Sequence, residues 1–257
     1  VNNQSGLTSQ IKVSLVIPVS VKDIEKFIFL IENLKRNIDY TFEIIAVINN
    51  CTYFKKKINI DHLKLITNGK LINIFKNNKL CPGEARNIGL NLSKGNYIAF
   101  LDVNTIPESN WLENSIKLLV DNPDGMLGRT IYKYSNDFEK LFIGATYGFK
   151  PLYTIPGALI KKDLFAKIGW FLPFVRSGED SDWIKRCLLF DKKIKNKKCP
   201  TIPYFGLQDK TFSYLCKKWF KYYCSSSAEV QIFQRQKYLY FFFIALCLIF
   251  ISFNWNY

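Results

Sequence analysis

Two short stretches of the sequence carry residue types able to do chemistry. The first is Phe100-Leu101-Asp102-Val103-Asn104, where an apolar run ends on a carboxylate and an amide oxygen two residues apart. In an extended segment alternate side chains point to the same side, so Asp102 and Asn104 are presented together. Such hard oxygens can hold a divalent cation and leave positions open for phosphate oxygens and water. An Asp at a strand end also forms turns and caps helices, and the residues alone leave both readings open. The second stretch is Arg176-Ser177-Gly178-Glu179-Asp180-Ser181-Asp182-Trp183-Ile184-Lys185-Arg186, which crowds three carboxylates into one helix start. Free N–H groups and the helix dipole stabilise negative charge there. Capping accounts for one or two of the three. Asp182 and Arg186 stand at i and i+4, the spacing of a structural ion pair.

Groups of this kind need a rigid support. Residues 13–19 (VSLVIPV) form an apolar, β-branched run of the sort found in buried parallel strands. From Asp23, a candidate N-cap, the apolar residues Ile24, Phe27, Ile28, Ile31 and Leu34 recur at helical spacing and draw one buried stripe. Further strands are predicted over 42–48, 71–75 and 97–101, the last ending directly on Asp102, with a helix over 83–93 between the third and fourth. Ser109 is the candidate cap of a helix through Val120, and 126–132 is another strand candidate. Beyond it the pattern loosens, through an extended run at 155–160, a short helix near Leu164 and a helix from about Glu179 to Phe190. Alternating strands and helices imply an α/β fold with a doubly wound parallel sheet, whose ligands bind beyond the carboxyl ends of the strands. The lysine-rich stretch 192–198 reads as a solvated loop.

Composition narrows the chemistry. The chain has 257 residues, of which 48% are hydrophobic and 22% charged, as expected of a folded protein rather than a disordered one. Its formal charge of +15 favours phosphorylated ligands, polyanions or an anionic membrane surface. The lysines form no platform interleaved with aromatics, which argues against nucleic acid. Seven cysteines without a CxxC pair argue against a disulfide framework or a zinc site and favour a reducing compartment. His62 is the only histidine, so carboxylates must do any acid–base work.

At the other end, residues 239–253 (LYFFFIALCLIFISF) are almost wholly apolar, with Tyr238 before them and Trp255 and Tyr257 after. Aromatic flanks suit a membrane interface, although 15 residues fall short of the roughly 20 of a spanning helix. Lys217, Lys218, Lys221, Arg235 and Lys237 precede the run and predict a cytoplasmic side for the preceding domain. The expected organisation is a domain over 1–225, with a nucleotide-binding half at about 11–104 and an acceptor half at about 105–225. A membrane-associated segment over 226–257, truncated or tilted, follows it.

The stretch 78–112 (NKLCPGEARNIGLNLSKGNYIAFLDVNTIPESNWL) resembles the central motif of family 2 glycosyltransferases with the GT-A fold. That motif is a G-x-x-x-A-R-N-x-G helix start, then a strand, then an acidic D-x-D. Ala85, Arg86, Asn87, Gly89, Gly95, Phe100, Leu101, Asp102, Pro107 and Trp111 fall in step, with Gly83 displaced from the usual glycine by a residue or so. Pro156-Gly157-Ala158-Leu159-Ile160 and Gly169-Trp170-Phe171 resemble the family's acceptor-side strand and turn, and the family's E-D-x-D-x-x-x-R segment falls on Glu179 to Arg186.

The resemblance implies a mostly parallel, Rossmann-like GT-A sheet flanked by helices, and transfer of a sugar from a nucleotide diphosphate, expected to be UDP-linked. The acceptor would be a hydroxyl of a glycan or lipid-linked glycan, the anomeric configuration would invert, and the product would serve polysaccharide biosynthesis at the cell envelope. It gives Asp180 the place of the catalytic base, with Glu179 as the fallback. It puts Pro18, Val19, Asn49, Asn50, Arg86, Asn87, Asp102, Gly157 and Gly178 in contact with substrate, and Mn2+ or Mg2+ on Asp102 and Asn104.

Three features depart from the family pattern. Ile48-Asn49-Asn50-Cys51-Thr52 replaces the acidic turn that reads the base, Asn104 replaces the second acid of D-x-D, and 201–211 lacks the family's late histidine. An Asn carbonyl still accepts from a uracil N–H, and a neutral ligand weakens a cation site without abolishing it. The competing reading is a non-catalytic, membrane-associated relative that binds nucleotides or glycans.

Overall fold

The computed structural model describes residues 11–51, 60–208, 210–215, 217 and 220. Seven strands form one sheet: β1 (Val13–Ser20), β2 (Glu43–Asn49), β3 (Leu71–Lys76), β4 (Tyr97–Phe100), β5 (Gly125–Tyr132), β6 (Leu152–Lys161) and β7 (Thr201–Tyr204), in the order β3-β2-β1-β4-β6-β5-β7. The helices are α1 (Ile24–Asn33), α2 (Ile60–Ile66), α3 (Pro82–Leu92), α4 (Trp111–Lys117), α5 (Asp137–Thr146), α6 (Lys162–Ile168) and α7 (Glu179–Phe190).

Strand periodicity sorts the core into two layers. Val13, Leu15, Ile17 and Val19 point to one face of β1, where they meet Phe27, Leu30 and Ile31 of α1 and Trp111 and Leu112 of α4. Val16 points to the other face, with Ile98 and Phe100 of β4, Leu90 of α3, Phe165 of α6 and Trp183 of α7. Each such fully buried aliphatic or aromatic side chain contributes roughly 1.5–3 kcal/mol, so both layers are needed to hold the sheet. Helix α3 approaches β1 closely because Gly89 has no side chain; a Cβ there would overlap the Val16 methyls.

β1, β2, β3 and β4 are mutually parallel, and their carboxyl ends gather at one edge: Ser20 lies beside Asn49, and Asn49 beside Lys76. The expectation of a parallel sheet fails on the other side of β4, where β6 runs antiparallel to both β4 and β5, and β7 returns parallel to β5. Alternating strands and helices specify parallel pairing only where each helix crosses over, and β6 does not follow that rule. The β5–β6 ladder shifts register between Met126 and Gly128, where a Cβ on Gly128 would overlap the Pro156–Ala158 backbone.

Smaller corrections concern helix starts. Asp23 makes no side-chain cap bond, because a 3-10 turn (Val21–Asp23) already leads into α1. Helix α4 starts after Asn110 rather than Ser109 and gives way to a 3-10 turn at Leu118–Val120. Among the described residues no helix is long and apolar enough to cross a membrane. The expected membrane segment at 226–257 lies outside the described residues.

Candidate active site

The carboxyl end of β4 delivers Asp102 into a tight turn. Thr105, fully buried, closes it: its N–H and hydroxyl both donate to the Asp102 carbonyl, at 2.9 and 2.6 Å. Asp102 Oδ1 accepts from the Asn104 backbone N–H at 3.1 Å and from Asn104 Nδ2 at 3.2 Å, so the carboxylate organises its own loop. Strand β7 pins the turn from outside, since Phe205 N–H donates to the Asn104 carbonyl at 2.8 Å and Thr105 bridges Tyr204. The side-chain oxygen of Asn104 accepts from Lys26 Nζ of α1 at 2.7 Å.

The second arm is α3. Pro82 starts it, and the Cys81 N–H donates to Glu84 at 2.8 Å to close its first turn. Arg86 projects from this turn into the protein and pairs with Glu179 of α7 at 2.7 Å, both side chains being 4% exposed or less. Its other amino group lies 3.8 Å from Asp180, which keeps 34% of its side chain open. Arg86 also stands 5.5 Å above the Phe171 ring. Asn87 holds the segment before α7 with both ends of its amide, donating to the Phe171 carbonyl at 2.8 Å and accepting from its N–H at 3.1 Å. Gly83 makes the approach possible: a Cβ there would lie 2.6 Å from the Leu172 carbonyl oxygen and 3.1 Å from Glu179 Cγ.

Gly178 takes a left-handed conformation (φ 94°) at the cap of α7 and turns the chain so that Glu179 points inward and Asp180 outward. Asp182 and Arg186 form the expected i, i+4 pair at 2.8 Å, and Arg186 also donates to the carbonyls of Ile168 and Trp170 at 2.7 and 2.8 Å. That pair ties α7 to the turn before it.

Electrostatics join the two arms. Burial opposes the Arg86 charge, but Asp180, Glu179 and Asp102 together more than offset it and raise its pKa. Burial pushes Glu179 up to about 8; the Asp180 carboxylate beside it adds to the rise and Arg86 opposes it. Tyr132 and Tyr147 stack with centroids 4.1 Å apart, and Tyr204 leans on Tyr132 at 4.9 Å. Burial raises the Tyr204 phenol well above its ordinary value, and the charges of both Asp102 and Asp180 act on it in the same sense, as they do on Tyr132. Asp102 and Asp180 therefore act on one shared set of groups: Arg86, Tyr132 and Tyr204.

The remaining sequence-predicted residues are spread along the edge. Pro18 and Val19 end β1, and Asn49 donates its amide to the Val19 carbonyl at 2.9 Å, which fixes the orientation of the Asn49 side chain. Asn50 turns the chain with φ 66°, its N–H held by Asn78 at 3.0 Å. Gly157 (φ 87°) is met by Ile202 and Gly128, so its neighbours belong to the sheet. His62 lies near Glu32 at 3.7 Å, on α2 against α1. Burial pushes the Cys187 and Cys199 thiols up to about 12, which keeps them protonated and unreactive. Lys26 and the three tyrosines carried no sequence signal; strand pairing and helix docking alone bring them to the site.

A divalent cation fits this donor set in a limited way. Asp102 and Asn104 supply one charged and one neutral oxygen at one turn, and diphosphate oxygens and water would complete six positions. The Asn104 oxygen is already engaged by Lys26, and no group of three His, Cys, Asp or Glu able to hold a metal occurs among the described residues.

Comparison with known proteins assigns the architecture. The model of Glycosyl transferase family 2 matches residues 14–178. An uncharacterized glycosyltransferase of Rickettsia bellii is 32% identical over 111 residues, covering 43% of this chain and 15% of that protein. Another, of Methanocaldococcus jannaschii, is 27% identical over 176 residues, 63% of this chain and 60% of the relative. The chain thus spans less than two-thirds of either relative. Among solved structures, residues 1–349 of Staphylococcus aureus TarS, in complex with UDP-GlcNAc, superimpose with a TM-score of 0.53 at 14% identity, over 80% of this chain and 61% of that one. That likeness concerns the fold. With a family match over more than half of its length, the chain belongs to glycosyl transferase family 2.

Proposed function

We propose that the protein transfers a sugar from a nucleotide diphosphate, UDP-linked, to a hydroxyl of a glycan or lipid-linked glycan, with inversion at the anomeric carbon. The observation that carries this reading is the meeting of α3 and α7 at Arg86, which pairs with buried Glu179 at 2.7 Å and stands 3.8 Å from the open Asp180 carboxylate. The diphosphate would lie at the carboxyl edge of β1, β2 and β4, near Pro18, Val19 and Asp102, with Asn49 and Asn50 toward the base. Asp180, the exposed carboxylate of the pair, would take the proton from the attacking hydroxyl. Glu179 is sealed against Arg86 and serves to hold Arg86 and Asp180 in register. A Mn2+ or Mg2+ ion, held by Asp102 and Asn104, would neutralise charge on the departing diphosphate. Residues 226–257 would bring the protein to a membrane with the transferase domain on its cytoplasmic side, a reading supported by the apolar run 239–253 and the basic residues before it.

The test is transfer from radiolabelled sugar nucleotides by wild type, Asp180→Asn and Asp102→Ala. Loss of a general base costs about 10²–10⁴-fold in rate; wild-type turnover in Asp180→Asn removes that residue from its role. The Lys26 contact on Asn104 favours one second reading, a nucleotide-binding protein without transferase activity. Nucleotide binding with neither transfer nor hydrolysis in the wild type would establish it.

A further inference from the structure

Helix α5 has two unlike sides. One is built into the protein: Ile143 is buried with Leu207 and Leu215, Glu139 is buried and accepts from the Ser135 N–H at 2.7 Å, and Tyr147 stacks on Tyr132. The other carries large apolar groups outward. Phe138 and Leu141 stand one turn apart, the Phe149 ring lies over Gly144, and Phe138 meets Phe212 at 5.9 Å. Leu141, Phe149, Phe212 and Phe220 are 54–75% exposed. A cluster of that kind marks an interaction surface.

Its rim is basic. Lys133, Lys140, Lys150 and Lys217 are exposed around it, Lys210 lies 5.7 Å from the Tyr214 ring, and Asp137 is the exposed carboxylate among them. The cores of protein interfaces are depleted in lysine, whereas aromatic groups ringed by lysines match a bilayer surface, where the ammonium groups reach anionic headgroups as the rings enter the acyl boundary. In sequence, the same segment leads through further lysines to the apolar run 239–253. We propose that this face of α5, with Phe212 and Phe220, docks on an anionic membrane. Docking would bring the Tyr132–Tyr147 stack, on the inner side of the same helix, close to the bilayer and toward a lipid-linked acceptor. That last consequence rests on the proposed transfer reaction, while the docking itself does not.

The experiment is hydrogen exchange by mass spectrometry on the full chain, alone, with phosphatidylcholine vesicles, and with vesicles containing phosphatidylglycerol. The readout is local because the apolar run 239–253 could bind vesicles by itself. Residues 137–149 should exchange at least about fivefold more slowly on the anionic vesicles than on neutral ones. Leu141→Glu with Phe149→Glu should abolish this, and Lys140→Glu with Lys150→Glu should remove the difference between lipids, both leaving sugar-nucleotide hydrolysis in detergent unchanged. Equal protection on neutral vesicles, no protection on either, or protection already present without vesicles, as a second copy or residues 239–253 would give, overturns the proposal. Absence of hydrolysis in the wild type, with protection intact, would instead count against the transferase reading alone.

Discussion

Arg86 and Glu179, 93 residues apart in sequence, meet in a buried ion pair of 2.7 Å that joins the helix following β3 to the helix following α6. The pair ties α3 to α7, and Asp180 is positioned at its exposed end.

Removing Arg86 leaves the buried Glu179 carboxyl, already pushed toward its protonated form, without its 2.7 Å partner. Arg86→Ala should cost about 1–3 kcal/mol of stability, read from urea denaturation. Arg86→Lys, a point charge without the planar fork, should lose part of this and lower transfer, because it cannot reach Glu179 and Asp180 together.

Glu179 should also give stability a pH dependence. Its carboxyl ordinarily titrates near 4.5 and is raised to about 8 in the folded protein. A raised value means that the folded state holds the proton more tightly than the unfolded one. The contribution is therefore complete below about 4.5 and declines as pH climbs toward 8, at no more than about 1.4 kcal/mol per pH unit. Melting temperature followed from pH 4.5 to 8 should show this slope in the wild type and a flatter one in Glu179→Gln.

Close approach at Gly83 predicts a cost for the smallest side chain. Gly83→Ala would set a methyl 2.6 Å from the Leu172 carbonyl oxygen, so either α3 or the Phe171–Leu172 backbone must move. A loss of about 1–3 kcal/mol follows by thermal denaturation. Transfer should fall more than stability explains at a temperature where the variant is folded, since Arg86 and Glu179 shift with it.

Charge at the strand tip should set cation affinity. Asn104→Asp adds a second carboxylate beside Asp102, and half-saturation by Mn2+ in the presence of nucleotide should drop roughly tenfold. Lys26→Ala should move it in the same direction by freeing the Asn104 oxygen. Titration calorimetry checks both, and unchanged affinity in Asn104→Asp would place the cation elsewhere.

The first two strands were readable in the sequence because β1 and β2 are buried on both faces and therefore appear as unbroken apolar runs. Asp102, Arg86 and Asp180 were legible through motif spacing. The direction of β6 was not, because an isolated strand reads the same parallel or antiparallel. Strand β7 has four residues including Pro203, too few for a pattern, and α5 mixes buried Ile143 with exposed Leu141, so no single apolar stripe announces it. Tyr204 reaches the Asp102 turn only through the unannounced β7, whereas Lys26 sits on the legible α1 but off its apolar stripe, so nothing in the pattern aimed it at Asn104.

The β5–β6 ladder holds Thr130 beside Leu152, so the chain leaves and re-enters the sheet at nearly one point, with residues 133–151 as the excursion between. An excursion anchored in this way can lengthen, shorten or change its surface without disturbing Asp102 or the Arg86 pair, which rest on other elements. Variation tolerated by such a fold would concentrate there, changing the surface the excursion presents while leaving the strand tips as they are.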